Sequence, residues 1–150
     1  MRRPAFTIVE LIFIIVVIAI LAVIALPKLA ATRDDAKLTV TAHNIMVGAG
    51  EIAAYAVAQG HTTANLGDMS NAIKKLLDDG IASETGNYEV HIGAGSSGDC
   101  VRLKIENPGA NTETLKLLYG NDSGDQCSRL KDLIDTASFP LPLRGSIISF

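Results

Sequence analysis

The sequence predicts an α+β fold: a long N-terminal α-helix, with a hydrophobic half and an amphipathic half, packed on a small antiparallel β-sheet head. Three observations carry that reading. From Leu11 to Leu26 every residue is apolar. From Leu38 to Ala56 apolar residues recur at helical spacing. Beyond residue 87, three short segments alternate apolar and polar side chains, as strands with one buried face do.

A chain of 150 residues allows one modest domain, and the apolar run takes part of it. The formal net charge of −3 supplies no positive field for nucleic acid. Low aromatic content and the absence of Trp leave no base-stacking platform, so nucleic acid is not an expected partner.

The first segment, residues 1–5, is the short basic leader Met1-Arg2-Arg3-Pro4-Ala5. The second, residues 6–27, is the hydrophobic helix, closed by Pro27 and Lys28. From Phe6 to Leu26 it spans roughly 32 Å, about the thickness of bilayer hydrocarbon. A secretory signal has a shorter apolar core of about 7–15 residues and a small-residue cut after it. This run is longer, although Ala25, Ala30 and Ala31 do follow it. A plain uncleaved anchor is the other simple reading.

Glu10 bears on both. A carboxylate within hydrocarbon costs about 2.5–3.5 kcal/mol on insertion scales. Neither a signal peptide nor a plain anchor has a use for it. A suitable cation would be an α-amino group at Phe6, created by removal of the leader, on the same chain or on a neighbour. Alternatively Glu10 sits at headgroup level and stays solvated. On the residues alone these alternatives stand side by side.

Residues 2–31 resemble the precursors of type IV pilins and of the pseudopilins of type II secretion systems. That family shows a basic leader, a Phe-Thr start, a Glu at this spacing, an uninterrupted apolar run and a proline at its end. Here these are Arg2-Arg3, Phe6-Thr7-Ile8-Val9-Glu10, Leu11–Leu26 and Pro27. The family has Gly before the cut, where this chain has Ala5. The resemblance implies cleavage between Ala5 and Phe6 by a prepilin peptidase and N-methylation of Phe6. It also implies pairing of Glu10 with the amine of an adjacent subunit during assembly, and a helix kink at Pro27. Lys and Arg near the two ends of the apolar run nearly balance, so charge does not orient it. The resemblance and the cysteines place the C-terminal part outside the cytoplasm.

The third segment, residues 28–60, reads as an amphipathic stem helix. Leu38, Ala42, Ile45, Ala49, Ile52, Ala53 and Ala56 form one stripe. Pro27 should kink or loosen the rod, Gly48 and Gly50 weaken it, and it ends near Gly60.

Residues 61–150 read as the head. A short helix is expected around Ile73, Leu76 and Leu77, capped by Asp68 or Ser70 and ended by Gly80. Strands are expected at Tyr88–Ile92, Val101–Ile105 and Leu115–Tyr119, with loops at 93–98 and 120–125. A short helix opens at Cys127 and runs through Ile134, and Ile147–Phe150 reads as an edge strand. Cys100 and Cys127 are an even pair in a chain with an export-type segment, which reads as one disulfide; two unrelated buried thiols are the alternative. A bond would close a loop of about 28 residues, worth on the order of 3–4 kcal/mol, and needs an oxidising compartment.

No catalytic constellation emerges. His43, His61 and His91 share no metal-ligand spacing. Asn121–Asp125 is acidic but does not match the twelve-residue calcium loop. Arg102, Lys104 and Lys116 gather on one sheet face, which reads as solvated. No cofactor, metal or enzymatic activity is expected. The resemblance implies a structural subunit of a type IV pilus, a type II secretion pseudopilus or a competence filament. Its partners would be the prepilin peptidase, copies of itself or related pilin subunits, the inner-membrane assembly machinery and the lipid bilayer. Such a subunit begins as a single-span inner-membrane precursor and ends in a periplasmic or cell-surface filament. The rivals are a minor subunit at the filament tip, a monomeric membrane-anchored binding module, and a secreted protein cut near residue 25.

Overall fold

The computed structural model describes residues 7–144, and for residues 26–31 the backbone alone. The expected cleavage point at Ala5 and Phe6, the side chain of Pro27 and the expected edge strand Ile147–Phe150 lie outside what is described. The chain divides into two compact units, residues 1–37 and 38–150. Helix α1, Ile8–Gln59, contributes to both.

In the second unit, Leu38, Ala42, Ile45, Ala49, Ile52 and Ala56 are buried, and Ala53 packs against them half-buried. The stripe read from the sequence is therefore a core face. Gly60 (φ +71°) takes the left-handed conformation just past the last turn, as expected of the residue that ends a helix.

A 3-10 turn, Leu66–Asp68, leads to α2, Asn71–Asp78. Of the two expected caps, Ser70 is the one used: its Oγ accepts from Ile73 N at 3.0 Å. Gly80 closes α2 with φ +70°, Ile81 N donating to Leu76 O at 2.9 Å and Gly80 N to Leu77 O at 3.0 Å. That pair of bonds is the Schellman pattern, which needs a left-handed residue there.

The sheet has five strands in sequence order: β1 (Ala82–Glu84), β2 (Glu89–Ala94), β3 (Ser97–Glu106), β4 (Thr114–Tyr119) and β5 (Leu141–Pro142). Every neighbouring pair is antiparallel. Val90, Leu103 and Leu117 stand in register, as do Ile92, Val101 and Tyr119. The buried strand residues join Ile45 and Ile52 of α1 in one core cluster. Helix α3, Asp125–Asp132, is tied to β3 by the Cys100–Cys127 disulfide. So the expected α+β layout and disulfide are both present.

Three local expectations change. β1 carried no sequence signal, being three residues long beside a turn. The expected loop 93–98 is mostly strand: Gly93 and Ala94 end β2, Ser97 and Gly98 begin β3, and only Gly95 and Ser96 lie between them. A Cβ at Gly93 would lie 2.2 Å from Ser97 O, so glycine there permits the close strand approach that a Gly-Ser cluster conceals. Helix α3 starts at Asp125 and ends at Asp132, two residues earlier at each end than expected.

Gly48 and Gly50 differ in role. A Cβ at Gly48 would meet Ile73 Cδ1 at 2.7 Å, whereas at Gly50 it would meet nothing within 4 Å. Gly50→Ala should therefore raise stability by about 0.5–1 kcal/mol, the usual helix-interior gain. Gly48→Ala should lose that gain to overpacking against buried Ile73. Denaturant unfolding of the full chain in detergent checks this, and equal stabilisation by both variants would rule out the close α1–α2 packing.

Candidate functional site

The first described turn of α1 is a reciprocal cap. Thr7 N donates to Glu10 Oε2 at 3.0 Å, and Thr7 Oγ1 donates to the same oxygen at 2.9 Å. Glu10 N donates in return to Thr7 Oγ1 at 3.3 Å. Thr7-Ile8-Val9-Glu10 is thus a capping box, which the spacing Thr-x-x-Glu before an apolar run could have announced. Beside the two expectations for Glu10, a partner amine or a solvated carboxylate, the structure shows partners in its own helix. Leu11 N then bonds Thr7 O at 3.2 Å and begins the helical ladder.

From Ile8 to Ala25 this helix is long and apolar enough to cross a membrane, and none of that window is buried. Large apolar side chains stand open along it, from Ile8 at 77% to Val23 at 73% exposure. Glu10 is the window's one ionisable side chain. A surface of that size and composition calls for lipid or other apolar chains around it.

The head offers a second polar arrangement. Register sets Glu89 beside Lys104, His91 beside Arg102, and Lys104 beside Lys116. The three basic residues do gather on one face, each with an acid. Arg102 pairs with Asp99 through two bonds, one of them Nε to Oδ1 at 2.7 Å. Lys104 lies 3.3 Å from Glu89 Oε2, and Lys116 lies 2.7 Å from Glu106 Oε2. His91 Nε2 is 3.1 Å from Glu89 Oε1. The face is a ladder of opposite charges, which leaves little field for a polyanion. The hydrogen bond from Arg102 holds the Asp99 carboxyl well below the usual carboxylate range, despite partial desolvation. The same bond raises the Arg102 guanidinium.

Asp99 also organises the 120–125 loop. Its Oδ2 accepts from Asn121 N at 3.1 Å, its carbonyl from Asp122 N at 3.0 Å, and its own N–H donates to Asp122 Oδ2 at 3.0 Å. Lys131 Nζ donates to Asp122 O at 2.9 Å and to Gly120 O at 3.5 Å. The Lys131 ammonium thus already serves two of this loop's carbonyls. His43 and His61 are exposed. Among the described residues no group of three or more His, Cys, Asp or Glu side chains is arranged to hold a metal.

Two further carboxylates had no sequence signal. Glu51 of α1 accepts from Ser70 Oγ at 2.7 Å and Ala72 N at 3.0 Å, capping α2 from the helix packed beside it. The Ala72 amide, then the Ser70 hydroxyl, hold its carboxyl below the ordinary range. Glu113, whose side chain is fully buried, accepts from Thr62 Oγ1 and from Arg144 Nε at 2.9 Å. Arg144 Nη1 donates onward to Gly60 O at 2.9 Å.

Asp99 yields a pH prediction. Its folded-state value is depressed, so its stabilisation is present above the ordinary 3.8 and is lost as pH falls towards the depressed value. Asp99→Asn should cost roughly 1–3 kcal/mol at neutral pH and flatten the loss of stability on acidification. Melting curves of both proteins from about pH 7 to about pH 2.5 test it; parallel acid limbs would remove Asp99 as the cause. No family model, curated protein or solved structure matches this chain.

Proposed function

We propose that this chain is a pilin-type filament subunit: a single-span precursor in the inner membrane that is cleaved before Phe6, N-methylated there, and assembled through its hydrophobic helix. The observation that carries the reading is the Ile8–Ala25 helix, open along its length, with its lone carboxylate in the first turn. Lipid satisfies such a helix before assembly, and the same helices of neighbouring copies satisfy it afterwards. Cleavage between Ala5 and Phe6 would create an amine one residue from Thr7, which bonds Glu10. Glu10 would then be the carboxylate nearest that amine in sequence. The Cys100–Cys127 bond supports a head outside the cytoplasm, since such bonds persist in oxidising compartments. The proposed partners are the prepilin peptidase, copies or relatives of the chain, and the inner-membrane assembly machinery, in a pilus, a secretion pseudopilus or a competence filament. The role is mechanical, not catalytic.

One observation favours the monomeric anchored binding module instead. Thr7 satisfies Glu10 within its own helix, so the acid needs no neighbour. The two readings part at the N-terminus. Intact mass and N-terminal sequence of the chain produced with a prepilin peptidase should give an N-methylated Phe6 start. A product retaining Met1 would favour the anchored module. Under the filament reading, Glu10→Ala should still be cleaved while filament yield falls. Losing a charge pair worth even about 1.4 kcal/mol lowers an assembly constant about tenfold. Undiminished filaments from that variant would sink the pairing.

A further inference from the structure

Of the seven asparagines, Asn121 alone stands two residues before a hydroxyl residue without proline between them: Asn121-Asp122-Ser123. That is the acceptor pattern for N-linked glycans. The pattern alone is common. What distinguishes this copy is where the fold puts it. Residues 121–124 lie outside every helix and strand, and Asn121 and Ser123 are both exposed. Asp99 takes the backbone amides of residues 121 and 122, so the loop is held by its main chain and by the Asp122 carboxylate. Among the described residues, neither the Asn121 carboxamide nor the Ser123 hydroxyl is engaged in that framework. The two side chains a transferase must read are the ones the loop leaves to solvent.

We infer that Asn121 is a glycan acceptor on the head, modified by an oligosaccharyltransferase from a lipid-diphosphate-linked oligosaccharide. In that reaction the Asn121 amide nitrogen forms the new bond to the anomeric carbon. The bond from that carbon to the diphosphate oxygen breaks, the lipid diphosphate leaves with the electron pair, and the amide proton passes to a base of the transferase. The inference rests on the head lying outside the cytoplasm, as proposed above, because that is where such donors are presented.

The Cys100–Cys127 bond provides an independent reporter of that location in the same molecule. The full chain is produced in cells that carry an oligosaccharyltransferase and its lipid-linked donor, and its peptides are mass-mapped with and without reduction. The expected result is a formed disulfide together with a glycan mass on the Asn121 peptide, absent from both Asn121→Gln and Ser123→Ala. Those variants should melt like the parent protein made without donor. A formed disulfide without added mass overturns the inference and leaves the export reading standing. A glycan that persists in Asn121→Gln overturns it as well. Free thiols without added mass overturn both the inference and the reading it rests on.

Discussion

The buried face of α1 is the constraint on which the head depends. Leu38, Ala42, Ile45, Ala49, Ile52 and Ala56 alternate large and small side chains down one stripe. The alanines let the helix come close, and the larger residues fill the space between it and Val90, Ile92, Leu103, Ile105 and Leu115. A five-stranded meander with three- and two-residue edge strands has too little apolar surface to stand without a second layer. Gly48 extends the same logic to a third element, since only a missing side chain lets Ile73 of α2 settle against the helix.

Around that core, buried or half-buried carboxylates act as joints between distant stretches of chain. Glu51 reaches from α1 to the free amides at the start of α2. Glu113 binds Arg144 and Thr62, so the segment just past α1, the β3–β4 connection and the residues just past β5 meet at one side chain. Asp99 links β3 to the loop before α3, beside the disulfide that joins the same two elements. Each carboxylate takes two or more donors, which is what lets a charge leave bulk water without a large penalty. The sheet's outer face follows the same rule, with Glu89 and Glu106 matched against Lys104 and Lys116.

These facts explain what could and could not be read from the residues. The α1 stripe, the Ser70 and Gly80 boundaries of α2, and the existence of strands β2 to β4 are local patterns of period or capping that the sequence displays, although β2 and β3 extend through residues read as a loop and β2 begins after Tyr88. The disulfide was legible because only two cysteines exist. The joints were not legible, because Glu113 and Arg144 lie far apart in sequence and no period connects them. β1 was missed because three residues cannot display an alternation. Gly93 misled, since a glycine that marks a turn and one that admits a neighbouring strand look alike until the strand is present. At the N-terminal site the apolar run and Glu10 are legible in the sequence, while the bond from Thr7 to Glu10 is hidden within a motif whose spacing has a second explanation.

The Thr7 cap changes how Glu10 can be understood. A carboxylate at the end of an apolar helix faces two demands. It must be tolerable beside an apolar surface, and under the proposed filament reading it would also have to stay open to an amine. The Thr7 cap meets the first demand by giving one oxygen two donors at the helix N-terminus, where the backbone dipole already favours a negative charge. It does not oppose the second. Oε1 of Glu10 takes no part in the cap, so an ammonium can approach it without breaking the bonds to Thr7. A neutral cap and a cationic partner need not compete for one carboxylate: the cap orients it, and an ammonium, charged where the threonine is not, would attract it more strongly wherever water is excluded. The acid is thus already oriented on its own helix by Thr7, with one oxygen outside the cap.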